Sequence, residues 1–484
     1  MSVPDTSNPP VPPGTSSAPA NLSGRLGVGS IVFMVIAAAA PLTVIGGNVP
    51  LAVGNGNGVG APVGFLIASA VLLLFAVGFV TMTPYVTVAG AFFAYVTMGL
   101  GKRAGTGAAL TALLAYTAIQ AGVYGYLGWA TDDLVKHFGG PAVPWWVYAL
   151  AVVGVVALLG YRHIELSSRV LGVALVLEIA IVVVMDLRIF FTGGAEGNSL
   201  TSFTPDAITS GPLGVAVLFA LTGFIGFEAT AIFRDEARDP ERTIPRATYL
   251  AVLIIGLFYT ISCWAIVTGV GPSNAVEVAG DTLAGNGNMM LDTAQTYLGT
   301  MLRDVMQVLL ISSLFACVLS FHNVVARYQF VLARRGLMPA GLGTVHRRHH
   351  SPARSSVVQT ITAAVLLVAF VALGLDPLVG VFGSMAGVST VGMVLLMLLT
   401  SIAVLVWFAR NPRQAGGRLW TTRIAPVLAV LGLLASAWLV VSNFTMVTGG
   451  SVGVSIALGL APPAVFLVGC VIGQRGARAA FAAE

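Results

Sequence analysis

The sequence has 484 residues, of which 57% are hydrophobic and only 9% are charged, and its mean hydropathy is +0.91. Soluble domains carry about 25% charged residues, so the composition excludes a water-soluble fold and predicts an all-α integral membrane protein. The net charge of +5 is better explained by basic loops on the cytoplasmic side of a membrane than by nucleic-acid binding.

The N-terminal segment, residues 1–24, is predicted to be a disordered cytoplasmic tail. It is rich in Pro and Ser and lacks hydrophobic periodicity. Because no short apolar region with a small-residue cleavage site follows a basic start, we expect no cleavable signal peptide.

Twelve apolar stretches are long enough to cross a bilayer, which requires about 20 mostly apolar residues. The longest connecting segment, 271–298, is too short to form a separate domain. The predicted spans are residues 28–52, 61–82 (with a possible continuation to 99), 105–130, 143–160, 168–191, 211–233, 246–270, 299–330, 354–374, 378–409, 422–445 and 452–473.

The basic residues predict the orientation of these spans. With the N-terminus in the cytoplasm, only Lys136, Arg188 and Arg303 of the 24 Lys and Arg residues fall on the outer side. This asymmetry is the positive-inside pattern, and a wrong number of spans would destroy it. We therefore expect a multi-pass plasma-membrane protein with both termini, including the tail 476–484, in the cytoplasm.

Two spans contain sequences that interrupt a helix: Ala37–Pro41 in the first and Gly223–Glu228 in the sixth. Backbone that leaves a helix inside a bilayer survives only where protein buries it or where it lines a wet cavity. Breaks at matching positions predict two five-helix repeats of inverted topology with a substrate site between them. The alternative is that Pro41 and the glycines merely kink two packed helices. The predicted units are residues 25–191 and 211–409, followed by two additional helices over 421–475.

Gly226-Phe227-Glu228 is followed by an acidic segment and Ile244-Pro245-Arg246. This order resembles the amino acid–polyamine–organocation superfamily. The stretch 89–95 is similar to the late second helix of that family, and 327–339 is similar to the end of its eighth helix. Over residues 25–475 the resemblance implies the leucine-transporter-like inverted-repeat fold, with helices 1 and 6 discontinuous, and a permease function.

The chain departs from this superfamily at two points. Many members carry a Gly-x-Gly run at the first break, where this chain has four alanines and Pro41. Some proton-coupled members carry a lysine in the fifth helix, where this chain has Glu178 and no lysine.

An unwound segment offers N–H groups and a half-helix dipole to a carboxylate, and carbonyl groups to an ammonium group. Small side chains let a ligand approach the backbone, and neighbouring aromatic rings can close over it. The predicted substrate-binding residues are Ala38, Ala39, Ala40, Thr43, Gly223, Phe224, Ile225, Gly226 and Phe227.

Glu178 and Glu228 are carboxylates at predicted membrane depth, where a charge costs about 3 kcal/mol and usually has a function. We expect either group to bind and release a proton during transport. The structural alternatives are that Glu228 caps freed N–H groups and that Glu178 is a packed, hydrogen-bonded carboxyl. Asp186 and Arg188 are expected at the outer membrane interface.

Other polar residues are candidates for lining the cavity. Gln120 and Tyr124 share one face of the third span at i, i+4 spacing, although a packed polar pair would have the same spacing. Ser313, with Ser312 and Ser320, could coordinate a sodium ion with first-helix carbonyls; the alternative is packing between small residues.

No cofactor or metal site is indicated. Cys263, Cys317 and Cys470 lie singly in apolar runs. His346–His350 lies in a basic loop without nearby carboxylates or cysteines, which is typical of contact with anionic lipid. No Walker motif and no nucleophile–base arrangement is present, so we expect neither an ATP-driven pump nor an enzyme.

These features predict a secondary active transporter of amino acids that works by alternating access. The predicted coupling ion is a proton, with sodium as the other candidate. An exchanger of amino acids and amines or a polyamine permease is the alternative, although a polycation would favour several carboxylates in the cavity. A channel would need rings of filter residues and a sensor would need an output domain; neither is apparent.

Overall fold

The computed structural model describes residues 26–86, 92–162, 168–228, 230, 237–346 and 351–481. Predictions for the tail 1–24, for the motif residues 89–91 and 236, and for the basic loop 347–350 lie outside this described part. Within it the chain is helical, and the β-type pairing is an isolated bridge between Leu26 and Ala237.

The N-terminal half contains helices that follow the predicted spans closely, apart from the third, which extends further at both ends. They are α1 (Val28–Ala39), α2 (Pro41–Thr43), α3 (Val49–Ala52), α4 (Ala61–Met82), α5 (Phe92–Leu100), α6 (Lys102–His137), α7 (Trp145–Arg162) and α8 (Ser168–Thr192).

The remaining helices begin with a short one outside the predicted spans. They are α9 (Pro205–Ile208), α10 (Leu213–Thr222), α11 (Pro240–Val270), α12 (Ala275–Leu283), α13 (Met289–Leu298), α14 (Thr300–Arg334), α15 (Ala353–Ala372), α16 (Ser384–Arg410), α17 (Pro412–Ala415), α18 (Ala425–Ser442), α19 (Phe444–Thr448) and α20 (Val452–Phe481).

Irregular helical turns extend several of these elements. The π turns are Val44–Asn48, Val53–Asn57, Pro377–Gly383 and Trp420–Ile424, and the 3-10 turns are Gly58–Gly60, Thr83–Tyr85, Thr201–Phe203 and Ala340–Gly343.

Eight stretches of the described chain are long and apolar enough to cross a membrane. The first, Val28–Tyr85, has 58 residues, and a straight helix of that length would measure roughly 90 Å against a bilayer core of about 30 Å. This stretch therefore reverses direction, and it does so near Gly56 and Gly58. Gly56 has non-helical backbone angles, and Gly58 has a φ of +57°. The protein is therefore an all-helical, multi-pass membrane protein.

Apolar side chains on the outer helices form the surface that faces lipid. Val173 on α8, Val365 on α15, Trp438 on α18 and Leu467 on α20 are each more than half exposed, whereas almost all of α10 is buried. Lipid covers such apolar surfaces in a membrane, so the buried helices form the interior of the bundle.

Glycine allows two of the closest helix contacts. A Cβ atom on Gly214 of α10 would lie 2.0 Å from the carbonyl oxygen of Leu439, and one on Gly99 would lie 2.4 Å from that of Ala403. These distances are too short for any larger residue, so glycine sets the separation of these helices.

The charged side chains are sorted between two ends of the bundle. Lys102, at the start of α6, lines a groove with Arg335, just after α14; we call this the arginine-rich end. At the other end of α6, Asp133 accepts a hydrogen bond from Gln307 at 3.0 Å; we call this the acidic end. Asp304 lies at the same end, 2.9 Å from His137 in the last turn of α6.

Candidate functional site

The first helix break lies at Ala40, between α1 and α2. Ala40 has φ 47° and ψ 72°, and among the described residues it is the one non-glycine residue with a positive φ. Pro41 explains the position, because proline cannot donate to the carbonyl of Ala37 and disfavours helical geometry in the residue before it. The hydroxyl of Tyr259 on α11 donates to the carbonyl of Ala39 at 3.1 Å, which satisfies one carbonyl that the break frees.

The second helix break begins where α10 ends at Thr222. The N–H of Ile225 donates to the carbonyl of Thr222 at 3.1 Å, which is an i→i+3 bond rather than an α-helical one. Gly226 then has a φ of +111°, a value that side-chain-bearing residues rarely adopt. Its N–H donates to Oε2 of Glu228 at 3.0 Å, so the carboxylate caps the segment that bends.

The two breaks face each other. A Cβ atom on Gly226 would lie 3.4 Å from that of Ala38, and one on Gly223 would lie 3.0 Å from Val44. The side-chain amide of Asn48 also donates to the carbonyl of Phe219 at 2.8 Å. The region after the first break is thus bonded directly to the helix that precedes the second.

A small cavity of about 30 Å³ lies beside both breaks, with room for one or two water molecules. Of the predicted binding residues, five line it: Ala38, Ala39, Ala40, Thr43 and Ile225. The other lining residues are Val44, Asn48, Ile119, Val123, Thr222, Cys317, Phe321 and Phe382. These eight were missed because nothing in the apolar pattern of a span marks the residues that face a cavity.

The remaining predicted binding residues lie next to the breaks without lining the cavity. Phe224 packs against Tyr259, with ring centroids 6.1 Å apart. Phe227 meets Phe75 of α4 edge to face at 5.9 Å. Both aromatic rings are buried. They pack the second break against α11 and α4.

Two polar atoms on the cavity wall have no hydrogen-bond partner among the described residues. They are Oγ1 of Thr43 and Oδ1 of Asn48, and both are buried. Buried polar atoms are nearly always bonded, to protein or to an ordered molecule. Both residues follow the first break and line the cavity.

Glu178 is buried on α8 and lies against the first break. Its carboxyl interacts with the backbone N–H of Leu42, in the first turn after the break, and with the side chain of Ser313 on α14. Of the other two serines considered for sodium, Ser312 donates to the carbonyl of Leu309 and Ser320 is exposed. Of the three serines, Ser313 is therefore the one that interacts with the carboxylate of Glu178.

Glu228 connects the second break to α6. The hydroxyl of Tyr116 donates a hydrogen bond to its Oε1. Tyr116 packs against Tyr328 of α14, with ring centroids 5.5 Å apart, and Tyr328 packs against Phe93 at 5.9 Å. The carboxylate is therefore embedded in an aromatic cluster between the cavity and the arginine-rich end.

The other polar candidates lie elsewhere. Gln120 accepts a hydrogen bond from Gln359 of α15 at 2.6 Å, and Gln329 donates to Gln359 at 3.1 Å. Gln120 and Tyr124 are buried and neither lines the cavity. Asp186, expected at the interface, is instead buried against α11, where the hydroxyl of Ser262 donates to it at 2.6 Å.

Packed side chains separate the cavity from both ends of the bundle. Toward the arginine-rich end, the guanidinium of Arg335 lies 4.9 Å from the Phe93 ring centroid, beyond the cluster around Glu228. Toward the acidic end, a Cβ atom on Gly46 would lie 2.5 Å from the hydroxyl of Tyr126 and 3.0 Å from Met290. The cavity in this conformation is too small for an amino acid.

Comparison with known proteins identifies several relatives. The chain is 24% identical over 358 residues to the branched-chain amino acid permease BcaP of Bacillus subtilis, covering 70% of this chain and 73% of that protein. It is 24% identical over 227 residues to the low-affinity putrescine importer PlaP of Escherichia coli, covering 45% and 48%. It is 23% identical over 281 residues to the uncharacterized transporter R00093 of Rhizobium meliloti, covering 57% and 58%.

The chain thus spans about half the length of PlaP and of R00093 and a larger share of BcaP. A family model described as amino acid permease matches residues 26–468, nearly the whole sequence. The protein belongs to the amino acid permease family, within the amino acid–polyamine–organocation superfamily.

Proposed function

We propose that the protein is a secondary transporter of amino acids in the plasma membrane, that it works by alternating access, and that a proton drives it. The observation that carries this proposal is the meeting of two helix breaks beside one central cavity, with a buried carboxylate next to each break. Membership of the permease family supports the same class of function.

The proposed topology is twelve spans in two inverted five-helix repeats, with two further helices. In this arrangement α1 and α10 each open a repeat and each end at a break, and α8 is the fifth helix of the first repeat. The arginine-rich end is then the cytoplasmic end, because basic residues accumulate on that side of a membrane. The proposed repeats are residues 25–191 and 211–409, and the added helices lie in 421–475.

An amino acid carries an ammonium group and a carboxylate group, and a broken helix can bind both. The end of α1 presents the negative end of a half-helix dipole to an ammonium group, and the start of the following helical turns presents N–H groups to a carboxylate. Thr43 and Asn48 add unpartnered oxygen atoms on the same wall. A zwitterion would therefore bind across the first break, while α10 and its break close the opposite side.

Alternating access requires that the packing on either side of the cavity open in turn. On the arginine-rich side, Phe93, Tyr328 and the Tyr116–Glu228 hydrogen bond would have to separate. On the acidic side, Tyr126 and Met290 would have to move away from Gly46. The described conformation is then an occluded state with both routes closed.

Glu178 and Glu228 are the proposed proton carriers. An ionised Glu178 attracts the N–H of Leu42 beside it, and an ionised Glu228 holds the hydroxyl of Tyr116 through a charge-assisted bond, which is about twice as strong as a neutral one. A proton on the carboxyl weakens that bond and removes a costly charge from membrane depth. Proton binding would thus loosen a break from its neighbouring helix and permit the movement.

One proton provides enough energy for uptake. Moving a charge across 100 mV provides about 2.3 kcal/mol. At about 1.4 kcal/mol per decade, this sustains roughly 40-fold accumulation of a neutral substrate.

The test is uptake of labelled leucine into proteoliposomes, with and without an imposed pH gradient. We expect the gradient to stimulate uptake by the unaltered protein, and Glu178→Gln or Glu228→Gln to lose most of that stimulation. Asp186→Asn is the matched control, because Asp186 is a buried carboxylate bonded to Ser262 rather than to a break. Unchanged stimulation in both Gln variants would overturn the assigned coupling, and exchange without any gradient dependence would support an uncoupled exchanger.

A further inference from the structure

Ten of the thirteen described residues that line the cavity are apolar. Its polar groups, Thr43, Asn48 and Thr222, belong to the chain segments that carry the breaks. Five apolar lining residues come from other elements, namely α6, α14 and the π turn before α16: Ile119, Val123, Cys317, Phe321 and Phe382. We call these five residues the apolar wall.

Among the described residues that line the cavity, none carries a charge. The two carboxylates nearby already have partners: Glu228 is bonded to Tyr116 and Gly226, and Glu178 interacts with Leu42 and Ser313. A second ammonium group on a ligand would therefore be buried against aliphatic and aromatic carbon without a counter-ion. An isolated buried charge is strongly unfavourable, whereas an apolar group gains by leaving water.

We propose that the apolar wall selects amino acids with an uncharged, apolar side chain and rejects lysine and diamines such as putrescine. This inference rests on the proposed function, because it assumes that the cavity is the transport site. The backbone groups at the breaks hold the ammonium and carboxylate groups that all amino acids share. The side chain then points to the apolar wall, whose residues determine which amino acids fit.

The space beside the apolar wall should also limit the size of the ligand's side chain. Hydrophobic pockets distinguish ligands that differ by one methylene by roughly 10- to 200-fold. Filling part of the space at Val123 with a larger side chain should therefore reduce the binding of leucine far more than that of alanine.

The first experiment measures binding by purified protein in detergent and competition for labelled leucine uptake in proteoliposomes. The probes are leucine, isoleucine, valine, alanine, lysine and putrescine. We expect leucine, isoleucine and valine to raise the thermal midpoint and to compete, since a ligand that binds the folded state stabilises it. Lysine and putrescine should have no effect at a 100-fold excess over leucine.

The second experiment compares Val123→Phe with Val365→Phe, the same change at a lipid-facing position of α15. We expect Val123→Phe to lower the ratio of leucine to alanine uptake at least 10-fold and Val365→Phe to leave it unchanged. A ratio measured within one protein preparation is insensitive to the amount of folded protein. An unchanged ratio in Val123→Phe would overturn the assignment of the apolar wall.

The outcomes separate this inference from the proposed function. If lysine or putrescine binds and is transported as well as leucine, the protein is still a transporter but the inferred selectivity is wrong. If none of the probes binds or enters proteoliposomes, the proposed function fails as well, and the inference falls with it.

Discussion

The two helix breaks each contain a residue with a positive φ but are built by different means. At the first break, Ala40 adopts left-handed geometry with a φ of +47°, and the acidic partner, Glu178, comes from α8. At the second, Gly226 has a φ of +111°, and its acidic partner, Glu228, is two residues away. The second break is therefore encoded within a few consecutive residues, whereas the first depends on side chains from other helices.

This difference indicates how each break is maintained. The second needs a residue without a Cβ atom and a nearby acid, so local substitutions should damage it most. The first is fixed by Pro41 in the chain and by Tyr259 and Glu178 from outside. It should tolerate a local change at Ala40, because those contacts remain.

The largest effect on leucine uptake is expected from Gly226→Ala. Its Cβ atom would meet Ala38 at an ordinary 3.4 Å, so the damage comes from the backbone, where strain of this kind costs roughly 1–3 kcal/mol. We expect a lower thermal midpoint in detergent and strongly reduced leucine uptake. The control is Gly154→Ala in α7, where an added Cβ meets nothing within 4 Å. Equal behaviour of the two variants would show that the second break does not require its backbone geometry.

An intermediate effect is expected from removing one tyrosine hydroxyl at each break. Tyr116→Phe deletes a hydrogen bond to the Glu228 carboxyl, and Tyr259→Phe deletes one to the neutral carbonyl of Ala39. Bonds to charged groups contribute about 1.5–3 kcal/mol and neutral ones about 0.5–1.5 kcal/mol. Thermal unfolding should therefore rank Tyr116→Phe as the more destabilised variant. The reverse order would mean that the first break is the one held more strongly.

The smallest effect is expected from Ala40→Gly. Glycine removes the cost of left-handed geometry, about 1–2 kcal/mol, but loses more conformational entropy on folding, about 0.5–1 kcal/mol. We expect a net gain in stability of about 0 to 1.5 kcal/mol and retained leucine uptake, measured by unfolding and in proteoliposomes. A severe loss of uptake would show that the Ala40 methyl group is itself part of the site.

The sequence predicted the positions of the helices well because hydropathy and local breakers decide them. The predicted span 61–82 corresponds to α4, and the interruption predicted within Ala37–Pro41 is found at Ala40. Pro41 and Gly226 restrict or free the conformation of the local backbone, so their effect can be predicted without knowing which residues pack against them. The number of membrane crossings and the inverted repeat remain predictions.

The cavity wall could not be predicted in the same way. Helix α6 is apolar or small around much of its circumference, so its sequence does not show that Ile119 and Val123 face the centre. Phe224 and Phe227 were expected to contact a ligand, but here they pack against Tyr259 and Phe75. The rotation of each helix is decided by its contacts with several others.

The sequence by itself therefore determined that the chain lies in a membrane, where its helices run, and where two of them break. These properties depend on the transfer of apolar residues from water and on the conformations open to proline and glycine. Only the tertiary structure decided that the breaks face each other, that Glu178 lies beside Leu42, and that the residues lining the cavity are uncharged. Those properties arise from packing between residues far apart in the chain, which no local pattern specifies.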